Sequence, residues 1–330
     1  MRVLVLMGGS STERDISLVT GRGIAKALSA RGHAVAALDP ATGRHVEIAG
    51  LGDHRIGDAP GTAVEPAAER SLVLAKGTDL TESEVVFVAL HGGIGEDGTL
   101  QALLDLAGVP YTGSGMLASA LAMDKALAKT MFRSAKIPTP RARLVPRRDA
   151  VSGADAVGGF PLVVKPNAQG SSVGVHIVER AEDMDAALDD AFRFPPVLVE
   201  EFIPGREITV AVVGGKALPV VEILPQSGFY DYKHKYTQGE TGYEVPAKLA
   251  EPVAREAARL GELAYATLGC AGAARVDFRL TEDGHLFCLE VNTIPGMTET
   301  SLVPMAAKEA GLSYEDLAEK LLELAIRRPA

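Results

Sequence analysis

The chain has 330 residues, 47% of them hydrophobic, with 33 Lys and Arg against 43 Asp and Glu for a formal net charge of −10. That length divides into roughly two or three compact units, and the acidic balance excludes a general role in coating nucleic acid or an anionic membrane, leaving only local basic pockets. Cys270 and Cys288 lie in apolar stretches without metal-ligand spacing and read as buried thiols, and no apolar run approaches the roughly 20 residues of a membrane span, so the chain reads as soluble and cytoplasmic.

Residues 2–7 read as a first strand, with an apolar run too short for a signal peptide. The loop GGSSTERDIS follows, then a helix to about Ala30 with Ile16, Val19, Gly23, Ala27 and Leu28 on its inner face. Residues 33–38 are a second strand, and 41–80 predict short strands and loops without a readable order. VVFVAL (85–90) is a buried, parallel-type strand, and HGGIGEDG (91–98) leads into a helix over 99–107. This alternation is α/β, with ligand loops at strand ends. GVPYTGSG (108–115) looks like a domain junction, and one helix spans about 116–135.

Pro138 and Pro140 keep the next segment extended. FPLVVKP is a strand, NAQGSSVGV a Gly/Ser loop and VHIV its return strand, before a helix at about 181–192. PVLVEEFI, REITVAVVG and LPVVEIL are further strands. Residues 225–248 are long, polar and aromatic without a period, which inside a compact unit points to a functional lid. A helix over 252–268, a hairpin and a final helix from Ser313, whose spacing to Asp316 fits a capping box, complete the chain.

The hairpin ARVDFRLTEDGHLFCLEVNTIPG (274–296) carries the sharpest chemistry. Asp283-Gly284 between alternating apolar runs predicts a two-residue turn with both residues at positive φ. Asp277 then lies opposite Glu290, and Arg275 opposite Asn292, all four on one face. Cβ atoms so placed are roughly 4.5–5.5 Å apart, and like charges there repel. The face is either a site for a hard cation such as Mg²⁺ or a solvated polar surface. Lys165 ends a strand before GSSVG (170–174), which fits either a phosphate-wrapping loop or an ordinary hairpin; it is not a P-loop. Glu13, His91, Lys125, Glu200, Glu201 and Glu207 sit at helix starts or strand ends, where each by itself reads equally as solvated or structural.

Order and spacing decide what single motifs do not. HGGIGEDGTLQ, YTGSGMLASALAMDK, KPNAQGSSVGV, FYDYKHKY, and ARVDF followed by LEVNTIPGMTETSLVPMAA together resemble the D-alanine–D-alanine ligase family of the ATP-grasp superfamily over nearly the whole chain. The resemblance implies an N-terminal parallel-sheet α/β domain (1–113) and a two-lobed α+β ATP-grasp fold, with a central lobe at 114–200 and a C-terminal lobe at 201–330. It implies a homodimer that binds D-alanine and ATP with two Mg²⁺, or Mn²⁺ in their place. By the same resemblance Asp277, Glu290 and Asn292 hold the metal. Lys125, Lys165, Ser171, Ser172 and the rest of 170–174 grip the triphosphate, Glu200, Glu201 and Ile203 border adenine, Glu207 binds ribose, and Lys235 reaches the γ-phosphate. Glu13 binds the first D-alanine's ammonium, and Ser301 with the Leu302 N–H the second's carboxylate. Arg275 and the Gly296 N–H form an oxyanion hole, Tyr236, Ser171 and Glu13 are linked across the site, and His91 lies close by. A related ligase using D-lactate and a non-catalytic nucleotide-binding module remain the competing readings; Lys235-Tyr236 matches the dipeptide-forming branch.

Overall fold

A computed structural model describes residues 1–48, 78–146, 157–225 and 241–327. The first unit comprises β1 (Arg2–Leu6), α1 (Arg14–Ala30), β2 (Ala34–Asp39), β3 (Arg44–His45), α2 (Thr78–Glu82) and β4 (Val85–Val88). Its sheet runs β3-β2-β1-β4, with β1 parallel to both β2 and β4. All four β4 residues are buried, as a parallel strand covered on both faces requires. Helix α1 buries Ile16, Ala27 and Leu28 as its apolar pattern predicts, but its inner face is wider and partly polar. Val19 and Gly23 are half-buried, whereas Ser17 and Thr20 are buried. Ser17 Oγ accepts from the Gly8 N–H at 2.8 Å and donates to the Ala89 carbonyl at 2.7 Å, so a polar side chain satisfies backbone at two strand ends.

After α3 (Thr99–Ala107), the single helix expected at 116–135 is two, α4 (Met116–Met123) and α5 (Lys125–Ser134). Asp124 breaks it at φ −80°, ψ 95°, and its carboxylate accepts the Leu127 N–H at 3.0 Å as an N-cap. The second sheet contains β5 (Ala142–Val145), β6 (Leu162–Pro166), β7 (His176–Val178) and β8 (Val197–Glu201) in the order β5-β8-β6-β7, backed by α6 (Met184–Ala191). The third contains β9 (Arg206–Val213), β10 (Lys216–Ala217), β11 (Val221–Pro225), β12 (Thr241–Glu244), β13 (Ala273–Leu280) and β14 (Leu286–Asn292), with a path β12-β11-β9-β13-β14. The end of the segment read as a structureless lid is thus strand β12; residues 226–240 lie outside the described residues. Helices α7 (Glu251–Leu268), α8 (Leu302–Glu309) and α9 (Tyr314–Ile326) follow, α9 opening with the foreseen Ser313–Asp316 capping box. Helix α8 is an addition to the elements read from the sequence; its Pro304 sits in the first turn, where a missing N–H costs nothing.

The sheet of 142–201 has its own core around Leu162, Val164, Leu188 and Val199. The first and third sheets share one: Val5 and Ile24 pack with Ala211, Val303 and Leu321. Helices α4 and α5 pack their apolar faces on the third sheet through Ala122, Ala128 and Phe132 against Val210, Leu260 and Val276, while Lys129 of α5 reaches Glu200 on the second sheet. Cys288 is buried as read, but Cys270 is half-buried. No helix among the described residues is long and apolar enough to cross a membrane.

The β13–β14 turn also differs from its expectation. Only Gly284 has positive φ (+86°), and Thr281 pairs with His285, which leaves a three-residue loop. The slip is undone by a bulge: Phe278 faces Cys288 while Asp277 faces Glu290, so Leu289 is the extra residue. Two glycines on this unit separate backbone strain from backbone collision. A Cβ on Gly205 (φ +127°) would lie 2.1 Å from the Leu280 carbonyl oxygen, whereas one on Gly284 (φ +86°) would meet nothing closer than Val253 at 3.6 Å. Gly284→Ala is expected to cost about 1 kcal/mol and Gly205→Ala at least about twice that. Thermal midpoints of the two variants, compared side by side, check the ranking; equal losses would contradict it.

Candidate active site

A cleft opens between the second and third sheets. Lys165 and Glu200 reach it from β6 and β8, Arg275 and Asp277 from β13, Glu290 from β14 and Lys125 from α5. Period-2 alternation explains β6: Leu162 and Val164 point into the second core, and Val163 and Lys165 into the cleft. The bulge explains β14, since it turns both Leu289 and Glu290 to the cleft.

The predicted pairing of Asp277 with Glu290 and Arg275 with Asn292 is present. The expected repulsion is not left uncompensated, because each carboxylate has a cation of its own. Arg275 reaches Asp277 through Nε at 2.9 Å and Nη2 at 2.8 Å, and Thr209 donates to the same carboxylate at 2.6 Å. Lys125 Nζ is 3.2 Å from Glu290 and donates to the Gln169 carbonyl at 2.8 Å. Asn292 Oδ1 accepts the Ile294 N–H at 2.9 Å, which keeps the amide oxygen at the strand end. Two carboxylates and an amide oxygen on one strand pair are hard donors and fit Mg²⁺.

Behind Lys165 lies a buried charge cluster. Glu200 takes Lys165 at 2.5 Å on one oxygen and Lys129 at 2.9 Å on the other. Burial pushes the Glu200 carboxyl up, but the two lysines outweigh it and hold it below the usual range; burial lowers the Lys129 ammonium. Lys129 was missed by the sequence reading, although it repeats Lys125 one helical turn on. Glu201 pairs with Arg141 at 3.0 Å. Arg279 donates to the carbonyls of Ile203 at 3.1 Å and Gly205 at 2.5 Å and lies 3.6 Å from Glu207, so one guanidinium spans the segment joining the two sheets.

A second group of residues meets at the mouth of the first sheet. Ser171 donates to Glu13 Oε1, and Ser171 and Ser172 both hold left-handed φ (+52° and +58°). A Cβ on Gly92 or Gly170 would come within 2.8 or 3.1 Å of Glu13 Oε2, so two glycine loops close on that carboxylate. His91 is buried, with Nε2 3.2 Å from Thr20 Oγ1 and Nδ1 3.1 Å from the Ile294 carbonyl and 3.6 Å from Glu96. Glu96, also buried, is the second residue the sequence reading passed over; its place in HGGIGEDG was the available signal. Burial works against the His91 charge, but Glu96 and Glu13 outweigh it, and the imidazole titrates above its ordinary value of 6.5. Ser301 is the N-cap of α8, its Oγ accepting the Thr298 N–H at 3.0 Å, and a Cβ on Gly296 would stand 3.0 Å from that Oγ. The Leu302 N–H is one of the first-turn donors that a helix leaves without an internal acceptor. Lys235 and Tyr236 lie outside the described residues.

Residues 2–114 match the family described as D-ala D-ala ligase N-terminus, and residues 133–323 the family described as D-ala D-ala ligase C-terminus. The chain is 44% identical over 322 residues to the D-alanine–D-alanine ligase of Syntrophotalea carbinolica, covering 97% of this chain and 95% of that one. It is 44% identical over 325 residues to that of Anaeromyxobacter dehalogenans, covering 98% and 96%. The fold is similar to the crystal structure of D-alanine–D-alanine ligase from Bacillus anthracis complexed with ATP, with a TM-score of 0.80 and 31% identity over 99% of this chain and 98% of that one.

The surroundings of His91 yield a direct check on the site's electrostatics. Glu96→Gln removes the neighbouring carboxylate, so the His91 pKa should fall. A raised histidine pKa contributes stability that is complete below 6.5 and is lost as pH rises through the folded value, so the variant should also lose stability selectively on the acid side. NMR titration of the imidazole tests the first statement, and thermal midpoints against pH the second. An unmoved titration would show that Glu96 does not hold the proton on His91.

Proposed function

The chain belongs to the D-alanine–D-alanine ligase family, and from that premise we propose that it joins two D-alanines into D-alanyl-D-alanine, a peptidoglycan building unit, while ATP goes to ADP and phosphate. The observation that carries this reading is the convergence on one cleft of Lys125, Lys165 and Arg275 with the paired carboxylates Asp277 and Glu290. Cations suit a triphosphate, and the carboxylates suit the cation that travels with it.

A carboxylate is a poor electrophile, so the first D-alanine must be phosphorylated on its carboxyl group before an amine can attack. In this reading Lys125, Lys165, Ser171, Ser172 and the N–H groups of 170–174 position the phosphates, Glu200, Glu201 and Ile203 border the base, and Glu207 takes the ribose. Asp277, Glu290 and Asn292 would hold Mg²⁺, which when bound would supply neutralising charge to the transferring phosphoryl group. Lys165 and Lys125 are already paired with Glu200 and Glu290, so phosphate oxygens compete for cations that are held in place beforehand. Glu13, oriented by Ser171, holds the ammonium of the first D-alanine, with His91 beside it. Ser301 and the Leu302 N–H take the carboxylate of the second. Its amine attacks the acyl phosphate, and Arg275 with the Gly296 N–H stabilises the oxyanion before phosphate leaves, an effect of a few kcal/mol per donor. Lys235 and Tyr236 belong to the segment assigned to cover the site and exclude water. The reading includes 1–113 as substrate domain, 114–200 and 201–330 as the two nucleotide lobes, a homodimer and a place in the cytoplasm.

Phosphate release should require Mg²⁺ and D-alanine and respond little to L-alanine, with a product of D-alanyl-D-alanine mass. Equal rates with both enantiomers would refute the assignment. Glu290→Gln should lower turnover about a hundredfold at saturating Mg²⁺ while circular dichroism stays unchanged, because Lys125 keeps its bond to the Gln169 carbonyl. Turnover within threefold of wild type would remove Glu290 from the metal site.

A further inference from the structure

Lys129 is the most enclosed charge among the described residues, and nothing in the reaction outlined above employs it. Its side chain is fully buried, against the strong tendency of lysine to keep its ammonium in water. It does not line the cleft, whereas Lys165 and Glu200 do. Its ammonium donates to Thr139 Oγ1 at 3.0 Å, and Thr139 in turn donates to the Cys288 carbonyl at 2.7 Å, so the group is fixed from behind by the third sheet. In front it meets Glu200 Oε2 at 2.9 Å. No donor lies in hydrogen-bonding geometry to that oxygen, so Lys129 answers it as a point charge.

Counting charges shows what this arrangement does. Glu200 is the one carboxylate within ion-pair distance of Lys129 and Lys165 among the described residues. Two ammonium groups on one carboxylate leave the cluster with one positive charge in excess. Lys129 has no path to the cleft, so the excess is presented there by Lys165. A polyanion entering the cleft is drawn to it. When Lys165 turns to a phosphate oxygen, Glu200 keeps a partner and does not become a lone buried charge. Without Lys129 the cluster is a neutral Lys165–Glu200 pair that is satisfied within itself.

We propose that Lys129 is a positioning residue for nucleotide binding: it is the permanent counter-charge of Glu200 and thereby releases Lys165 to the phosphates. The inference rests on the reading of the cleft as the ATP site.

The test is a double-mutant cycle on the full chain, with Lys129→Met, Glu200→Gln and the two combined. Calorimetry measures the Kd of the Mg²⁺ complex of β,γ-imido-ATP, and steady-state kinetics the KM for D-alanine. Lys129→Met should weaken the nucleotide about tenfold or more, equivalent to about 1.4 kcal/mol, and move the D-alanine KM less than threefold. In the Glu200→Gln background the same substitution should change the nucleotide Kd less than about twofold, because the charge through which Lys129 acts is gone. An equal loss in both backgrounds, or none in either, overturns the proposal. If Lys129→Met does not fold, Lys129→Gln, which keeps a donor for Thr139, takes its place. Folding defects in both that Glu200→Gln does not repair also overturn it. A wild-type chain that binds no nucleotide removes the premise itself, a failure visible before any variant is compared.

Discussion

The pairing of β13 with β14 places the charges on which the cleft depends. Asp277 opposite Glu290 and Arg275 opposite Asn292 sit at one end of an otherwise buried ribbon, with Val276, Phe278, Cys288 and Val291 turned to the core. A slip of one residue would exchange those faces, burying two carboxylates and exposing the apolar set. The three-residue turn makes such a slip, and the bulge at Leu289 reverses it before the chain reaches Glu290. The bulge also turns Leu289 into the cleft, so one irregularity both corrects the register and adds an apolar wall.

Charge compensation is the second constraint. Lys125 meets Glu290, Arg275 meets Asp277, Arg279 spans Ile203 to Glu207, and Lys165 and Lys129 share Glu200. Groups this enclosed are stable only when paired. The pairs hold long side chains in fixed positions, which lowers the ordering that a ligand must impose. On the proposed reading, phosphates and metal exchange places with partners already present and do not create order in a flexible cleft.

The third constraint is the common core of the first and third sheets. Glu13 and His91 arise on the first unit, Ser171 on the second, and Ile294, Gly296 and Ser301 on the loop after β14. The meeting of Glu13 and His91 with the loop after β14 follows from packing of α1 and β1 against α8 and α9, and Ser171 joins them through its bond to Glu13. Local bonds then set the details: His91 Nδ1 takes the Ile294 carbonyl as partner at 3.1 Å, and Tyr314 donates to the Met297 carbonyl at 2.5 Å. A loop between a strand and a helix is thus tied to the N-terminal unit and to α9 at once.

Much of this was legible in the sequence by itself, where the signal is local. Short apolar runs located β4, β6 and β9, alternation located the hairpin strands, the Ser313–Asp316 spacing located the start of α9, and the motif order identified the family. The match of Asp277 to Glu290 was also read correctly, though through a turn that does not exist, since two irregularities of opposite sign cancel. Tertiary structure alone decided the rest. Whether Ser17 and Thr20 face inward depends on the Ala89 carbonyl and the His91 imidazole, more than 70 residues away, which no period on α1 records. That Asp124 caps a new helix, that Pro304 falls in a first turn, and that α4 and α5 lay their apolar faces on the third sheet are outcomes of packing. Lys129 and Glu96 look like surface charges in the sequence, because burial of a charge is decided by tertiary partners: Glu200 on β8 for the one, and for the other His91, near in sequence but fixed by the Ile294 carbonyl of a distant loop.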